Sequence, residues 1–242
     1  MCSRRTPVGQ PDERLVARLA AGDCERLRDG WLAQPANTVS SLAYVVAGLV
    51  LLHWARERPS VDAHAVRPVA TGMVMAGLGS VDYHGFQSPV AQWGHDWGVA
   101  VPVVAAVHAD AVELLPQVPA RLRSVVSVSA LVAMGLLLAR RPRSGSVAGG
   151  AGVLLLGVSE LALWVRGRRP GPRRRSAILM ATAAGAGVAG ATTLALSRTG
   201  GPWCHPDSLV QGHAVWHGCS AVALLCWAMA VLPDLDPSGA PV

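Results

Sequence analysis

Two histidines four residues apart, His213 and His217, lie in the last apolar segment of the chain. On a helix they are separated by about 40° around the axis and one turn along it, so both imidazoles can reach one point. An earlier apolar segment ends with the same offset in Ser80 and His84, and Asp96 begins the next one. Ionisable groups inside a membrane are costly and usually mark a functional site. The pattern predicts a catalytic metal ion inside a helix bundle.

Three histidines with a nearby acid are typical of a zinc site. Catalytic zinc takes three protein ligands and leaves a fourth position for water, whose pKa falls towards 7. The predicted ligands are His84, His213 and His217. Asp96 would accept a proton from the water, and Ser80 would hydrogen-bond a developing oxyanion. The alternative is structural: hydrogen-bonded core histidines, a serine bonded to its own helix, and an aspartate favoured at a helix start.

The composition is that of a membrane protein. Of the 242 residues, 51% are hydrophobic and 15% are charged, and the mean hydropathy is +0.36. A soluble domain carries about 25% charged residues. All 21 basic residues are arginine, which we interpret as the coding bias of a GC-rich bacterial genome. The net charge of +6 does not indicate nucleic-acid binding, because most arginines lie in short loops without interleaved aromatic residues.

Apolar blocks separated by short polar stretches predict an all-α, polytopic membrane protein, a bundle of seven transmembrane helices. The predicted spans are 38–54, 66–86, 93–109, 122–139, 147–165, 176–197 and 209–232. A polar N-terminal segment, residues 1–37, would pack on the face of the site. Residues 38–232 would form the membrane domain and residues 233–242 a C-terminal tail. No cleavable signal peptide is visible, so the first span is expected to direct insertion.

The distribution of arginines and the order of the helices predict how these spans are oriented in the membrane. Loops on one side hold eleven arginines and those on the other hold seven near the spans, which predicts an extracytoplasmic N-terminus in the cell membrane. By parity, the end of the second span and the starts of the third and seventh lie on the N-terminal face. The predicted site residues therefore share one side of the membrane: Ser80, His84, Asp96, His213 and His217.

The same face carries two cysteines, Cys24 before the first span and Cys204 before the seventh. If that face is outside, a disulfide between them is permitted, and two unpaired thiols are the alternative. Two further cysteines, Cys219 and Cys226, are expected to be buried packing residues in the seventh span.

Other polar residues are expected to lie outside the site. His95 adjoins Asp96 but points about 100° away from it on a helix. Asp82 is expected to make a structural hydrogen bond, and Glu160 is expected to pair with Arg166 or with a neighbouring helix.

Several of these segments, taken together and in order, resemble the alkaline ceramidase family. That family belongs to a wider group of seven-helix membrane hydrolases that also contains the adiponectin and progestin receptors. The similar segments are Asp23-Cys24-Glu25, Asn37-Thr38-Val39-Ser40-Ser41, Gly79-Ser80-x3-His84, Asp96, Trp203-Cys204 and His213-Ala214-Val215-Trp216-His217.

The resemblance implies a zinc ion on the three histidines, Asp96 and Ser80 around its water, a Cys24–Cys204 bridge and hydrolysis of a lipid amide bond. It does not extend to the calcium site of animal members. Glu25 matches one calcium ligand, but Leu27 and Gln34 stand where the family pattern has asparagine and glutamate. This departure argues against calcium regulation.

The leading hypothesis is a zinc-dependent membrane amidase that acts on a ceramide-like N-acyl lipid. The alternative is a non-catalytic, receptor-like protein with a structural zinc, whose fourth position Asp96 or Cys204 would close. A transporter is disfavoured, because the chain has no obvious inverted repeat and its polar groups cluster on one face.

Overall fold

The computed structural model describes residues 19–58, 63–168 and 174–232. The predicted C-terminal tail, residues 233–242, and the first 18 residues of the predicted N-terminal segment lie outside the described residues. The described part is all-helical and contains no β-strand. The fold class predicted from the sequence is therefore confirmed as all-α.

Seven long helices follow one another in chain order. They are α1 (Pro35–Arg56), α2 (Ala63–Val81), α3 (Ala91–Leu114), α4 (Ala120–Arg140), α5 (Gly145–Val165), α6 (Arg174–Leu196) and α7 (Gly212–Val231). A π-helical turn, Asp82–Phe86, continues α2, and a 3₁₀ turn, Pro142–Ser144, joins α4 to α5. Each predicted span overlaps one of these helices.

Six of the seven helices are long and apolar enough to cross a membrane, and α2 is the exception. The expected count of seven spans is therefore not confirmed by length and composition. The helix α2 carries Arg67 and Pro68 near its start and several glycines, which lower its hydropathy. It also contributes the buried centre of the bundle, where Val69, Ala70 and Met73 are fully buried.

The bundle is arranged around α2, which packs between α1 and α3. The helix α7 packs on α1 and α6, whereas α4 and α5 pack on α3. Contact between α2 and α3 is unusually close beside the predicted site, because a Cβ at Gly79 would lie 2.5 Å from the carbonyl oxygen of Gly94. Small residues allow membrane helices to approach in this way.

The outer helices α4, α5 and α6 expose most of their large apolar side chains. Examples are Leu122, Val126, Leu154, Leu161 and Val188. A continuous exposed apolar surface of this kind indicates contact with lipid. Together with the six apolar helices, it is compatible with a multi-pass membrane protein.

An irregular segment, residues 19–34 and here named the strap, precedes α1 and folds back onto its first turn. Inside the strap, Glu25 is 6% exposed and accepts hydrogen bonds from the backbone N–H groups of Ala36 and Asn37, both at 2.8 Å. A carboxylate at a helix N-terminus satisfies unpaired N–H groups and complements the helix dipole. With Pro35 at the first helical position, this explains why α1 begins three residues before the predicted span.

Replacement of Glu25 by alanine should lower the free energy of unfolding by about 1–3 kcal/mol, because two buried N–H groups lose a charged acceptor. Thermal unfolding in detergent would measure the loss. The matched control is Glu57→Ala, which removes an exposed carboxylate at the other end of α1. Equal unfolding temperatures for the two variants would contradict this role of Glu25.

Candidate metal centre

The structure brings the three predicted ligand histidines together at one point. His84 comes from the π-helical turn after α2, and His213 and His217 come from the start of α7. They are 0%, 7% and 2% exposed, respectively. One ring nitrogen from each lies within 4.8 Å of the others, and the ring centroids are separated by 4.6, 4.8 and 5.1 Å. The cluster is therefore a candidate site for a metal ion.

The π-helical turn holds His84 at the end of α2. It closes at Gln87, which has a left-handed backbone with φ of 53° and donates its N–H to the Asp82 carbonyl at 2.7 Å. The Asp82 carboxylate accepts from both the N–H and the hydroxyl of Ser88. The expected structural hydrogen bond of Asp82 is confirmed. Single π-helical turns are often found at functional sites.

The side chain of Gln34 determines which nitrogen of His84 carries the proton. Its Nε2 donates to the carbonyls of Ala20 and Glu25, at 3.1 and 2.8 Å, so its Oε1 must point the other way. Oε1 lies 2.8 Å from Nδ1 of His84. An amide oxygen can only accept, so Nδ1 carries the proton and Nε2 presents a lone pair. This is the form of imidazole that ligates a metal.

Serine side chains of α1 and α2 surround His217. The hydroxyl of Ser40 lies 2.9 Å from Nδ1 of His217 and donates to the Asn37 carbonyl at 3.0 Å. It therefore accepts from Nδ1 and leaves Nε2 of this ring unprotonated. Ser80 lies 3.4 Å from that Nε2 and accepts a hydrogen bond from Ser41 at 2.9 Å. The structure thus places Ser80 beside the histidine cluster.

Asp23 of the strap contacts the third histidine. Its Oδ1 lies 3.3 Å from Nδ1 of His213 and 3.0 Å from the guanidinium of Arg198. Burial raises the pKa of Asp23 to about 6, and the positive charge of Arg198 opposes this shift. Carboxylates commonly orient metal-binding histidines from the side opposite the metal. Sequence reasoning included Asp23 only as part of a similar segment and assigned it no role.

Ring nitrogens without a hydrogen bond are an independent observation in favour of a ligand at the cluster. His84 Nε2 and both ring nitrogens of His213 are buried and lack a hydrogen-bond partner within residues 19–58, 63–168 and 174–232, since Asp23 lies near Nδ1 of His213 without a hydrogen bond to it. Buried polar atoms are nearly always paired, so these atoms need an explanation. Tetrahedral zinc with 2.0–2.1 Å bonds separates its nitrogens by about 3.4 Å, so the cluster must close slightly around an ion. The residues present fit a divalent metal.

Asp96 lies in the wall of a cavity of about 940 Å³ that His213 also lines. One carboxylate oxygen of Asp96 lies 2.8 Å from Nδ1 of His95, which in turn stacks on Tyr83. The metal candidate group comprises the three histidines, so the role of Asp96 as a proton acceptor stays a prediction. The expectation that His95 lies away from the site is wrong, since His95 lines the same cavity and contacts Asp96 directly.

Cys24 and Cys204 form a disulfide in the structure, with their Cα atoms 5.6 Å apart. The bridge joins the strap to the loop between α6 and α7. Since Cys24 immediately follows Asp23, the bridge ties the stretch that bears this carboxylate to the loop that precedes α7. The pairing that the sequence permitted is the one present.

The remaining predictions concern side chains that lie away from the histidine cluster. Glu160 of α5 accepts a hydrogen bond from the indole of Trp227 on α7, so its contact is with a neighbouring helix. Cys219 and Cys226 are unpaired and half-buried rather than buried, because α7 presents part of this side outward.

Comparison with known proteins identifies no relative of this chain. No protein-family model matches the chain, and no curated protein matches it either.

Replacement of Asp23 by asparagine should weaken zinc binding about 10- to 100-fold, because the residue keeps its size but loses the charge that orients His213. Competition with a coloured zinc chelator would measure the affinity. Asp207→Asn is the matched control, since Asp207 is an exposed partner of Arg26 on the same face. Equal zinc affinities of the two variants would show that Asp23 does not contribute to metal binding.

Proposed function

We propose that the protein is a zinc-dependent integral-membrane hydrolase that cleaves the amide bond of a ceramide-like N-acyl lipid. The observation that carries the proposal is the buried cluster of His84, His213 and His217. Nδ1 is hydrogen-bonded in His84 and His217, and the Asp23 carboxylate lies 3.3 Å from Nδ1 of His213. The resemblance to alkaline ceramidases supplies the reaction class, and the exposed apolar surface supports a lipid substrate.

Zinc suits the cluster because neutral imidazoles arranged around one point are among its preferred ligands. A structural zinc would need a fourth protein ligand. Cys204 is already in a disulfide, and Asp96 is paired with His95. Within the described residues the metal candidate group has three members. This favours an open coordination position, and hence catalysis, over the receptor-like alternative.

A zinc ion bound there would polarise the amide carbonyl and make water a stronger nucleophile near neutral pH. The chain supplies the remaining functions. Asp96 accepts the proton that water loses and returns it to the amine nitrogen as the carbon–nitrogen bond breaks. The Ser80 hydroxyl donates to the oxygen on which negative charge develops. Water adds across the bond, which gives a fatty acid and an amine.

Polar groups on the side away from the metal position orient the three histidines. Gln34 and Ser40 keep Nδ1 of His84 and His217 protonated, and Asp23 faces Nδ1 of His213. Apolar helices exclude bulk water and position the acyl chain beside the histidines. The Cys24–Cys204 bridge supports an extracytoplasmic N-terminal face in the cell membrane, because disulfides persist in oxidising compartments.

Replacement of His217 by alanine should abolish both stoichiometric zinc and hydrolysis of N-acyl lipids, since two nitrogens hold the ion weakly. Elemental analysis of the purified protein and product release from a lipid-amide panel measure the two effects. His53→Ala, which changes an exposed histidine at the end of α1, should keep both. A folded His217→Ala protein with full zinc or full activity would refute the proposal, and His217→Gln provides a bulkier second test.

Replacement of Asp96 by asparagine should retain zinc but lower kcat by about 10²–10⁴-fold, the usual contribution of a positioned general base. Single-turnover hydrolysis at saturating lipid measures the chemical step. Elemental analysis of the same sample shows that the metal is present. An unchanged kcat in the zinc-loaded variant would assign the proton transfer to another group.

A further inference from the structure

The cavity of about 940 Å³ lies on the side of the cluster where the strap covers the helix ends. His213 forms part of its wall, so a molecule that fills the cavity lies beside the candidate metal centre. Its other walls come from the strap, the start of α3 and the connection between α4 and α5. All of these lie at the end of the bundle on which the strap packs. The cavity is therefore positioned to hold the polar half of a lipid.

Charged side chains of both signs line the cavity. Asp23 is paired with Arg198 at 3.0 Å, and Asp96 is hydrogen-bonded to His95 at 2.8 Å, so each of the two acids already has a partner within the protein. Arg141 also lines the cavity and is exposed to it. Across residues 19–58, 63–168 and 174–232, its guanidinium makes no ion pair or hydrogen bond. The guanidinium of Arg141 is therefore available to a ligand.

Arginine recognises oxyanions by geometry as well as by charge. Its guanidinium presents a planar fork of donors that matches a carboxylate or a phosphate. Gln92 and Ser146 add neutral polar groups to the same wall. A cavity of this volume accommodates a small head group with its water.

We propose that this cavity binds an anionic head group, so that the amine half of the substrate carries an oxyanion such as a carboxylate. This inference rests on the proposed amide hydrolysis and goes beyond it, because a ceramide-like lipid has an uncharged head. The oxyanion contacts Arg141 at the membrane face, while the amide carbonyl lies at the histidines.

Two lipids of equal chain length test the preference: N-dodecanoylglycine, with a carboxylate, and N-dodecanoylethanolamine, with a hydroxyl. Initial rates are measured on the zinc-loaded protein in neutral detergent. We expect kcat/KM to favour the carboxylate about tenfold or more, the usual worth of a charged hydrogen bond. Arg141→Gln should remove this preference. Arg140→Gln is the matched control, because Arg140 has the same charge and exposure but lies outside the cavity wall.

Binding is measured separately from turnover. The ketomethylene isosteres of the two amides, in which CH₂ replaces the amide NH, cannot be hydrolysed. We expect the zinc-loaded protein to bind the anionic isostere about tenfold more tightly than the neutral one, and Arg141→Gln to bind both alike.

The outcomes separate the two proposals. Hydrolysis of both lipids at equal rates, with no effect of Arg141→Gln, would overturn the anionic head group and leave amide hydrolysis standing. Selective binding of the anionic isostere without hydrolysis of any lipid amide would support the cavity and overturn the proposed reaction. Equal binding of both isosteres, or tighter binding of the neutral one, would overturn the inference whatever the rates.

Discussion

Pairing of polar atoms in an apolar interior is the constraint on which this structure depends. A buried imidazole has two nitrogens, and each needs a partner or costs free energy. In His84, Nδ1 donates a hydrogen bond to the amide oxygen of Gln34, and Nε2 is buried without a hydrogen-bond partner among the described residues. In His217 the Ser40 hydroxyl accepts from Nδ1, and Nε2 has the Ser80 hydroxyl 3.4 Å away. The chain thus fixes one side of each of these two rings and leaves the other side available to a ligand.

The strap helps to satisfy this constraint, because it supplies polar side chains beside the ring nitrogens of His84 and His213. Gln34 is held by the Ala20 and Glu25 carbonyls, and Glu25 is anchored on the first turn of α1. The disulfide from Cys24 to Cys204 fixes the same stretch to the loop before α7. An irregular segment outside the helices therefore controls the orientation of side chains inside them.

Helical periodicity and hydropathy were enough to predict the helices and the histidine cluster. A spacing of four places His213 and His217 on one face in any α-helix, and parity brings His84 to the same end of the bundle. The π-helical turn has no such signature in the sequence. The partners Asp23, Gln34 and Ser40 were not predictable either, since the contacts of Asp23 and Gln34 are set by the irregular path of the strap and that of Ser40 by the packing of α1 on α7. His95 was misjudged because an angle of about 100° between neighbours does not separate side chains long enough to touch.

A helix alone does not determine the orientation of an imidazole ring. It fixes the positions of the Cα atoms, but the second side-chain torsion of histidine is broad and has no strong minimum of its own. The direction of the ring must then come from a hydrogen bond at the nitrogen that does not face the ligand. Helices with the same spacing of histidines can therefore hold a metal tightly or not at all. In this chain the groups beside Nδ1 of the three histidines are Gln34, Ser40 and Asp23, two of which belong to the strap and none of which lies in the helix that bears His213 and His217.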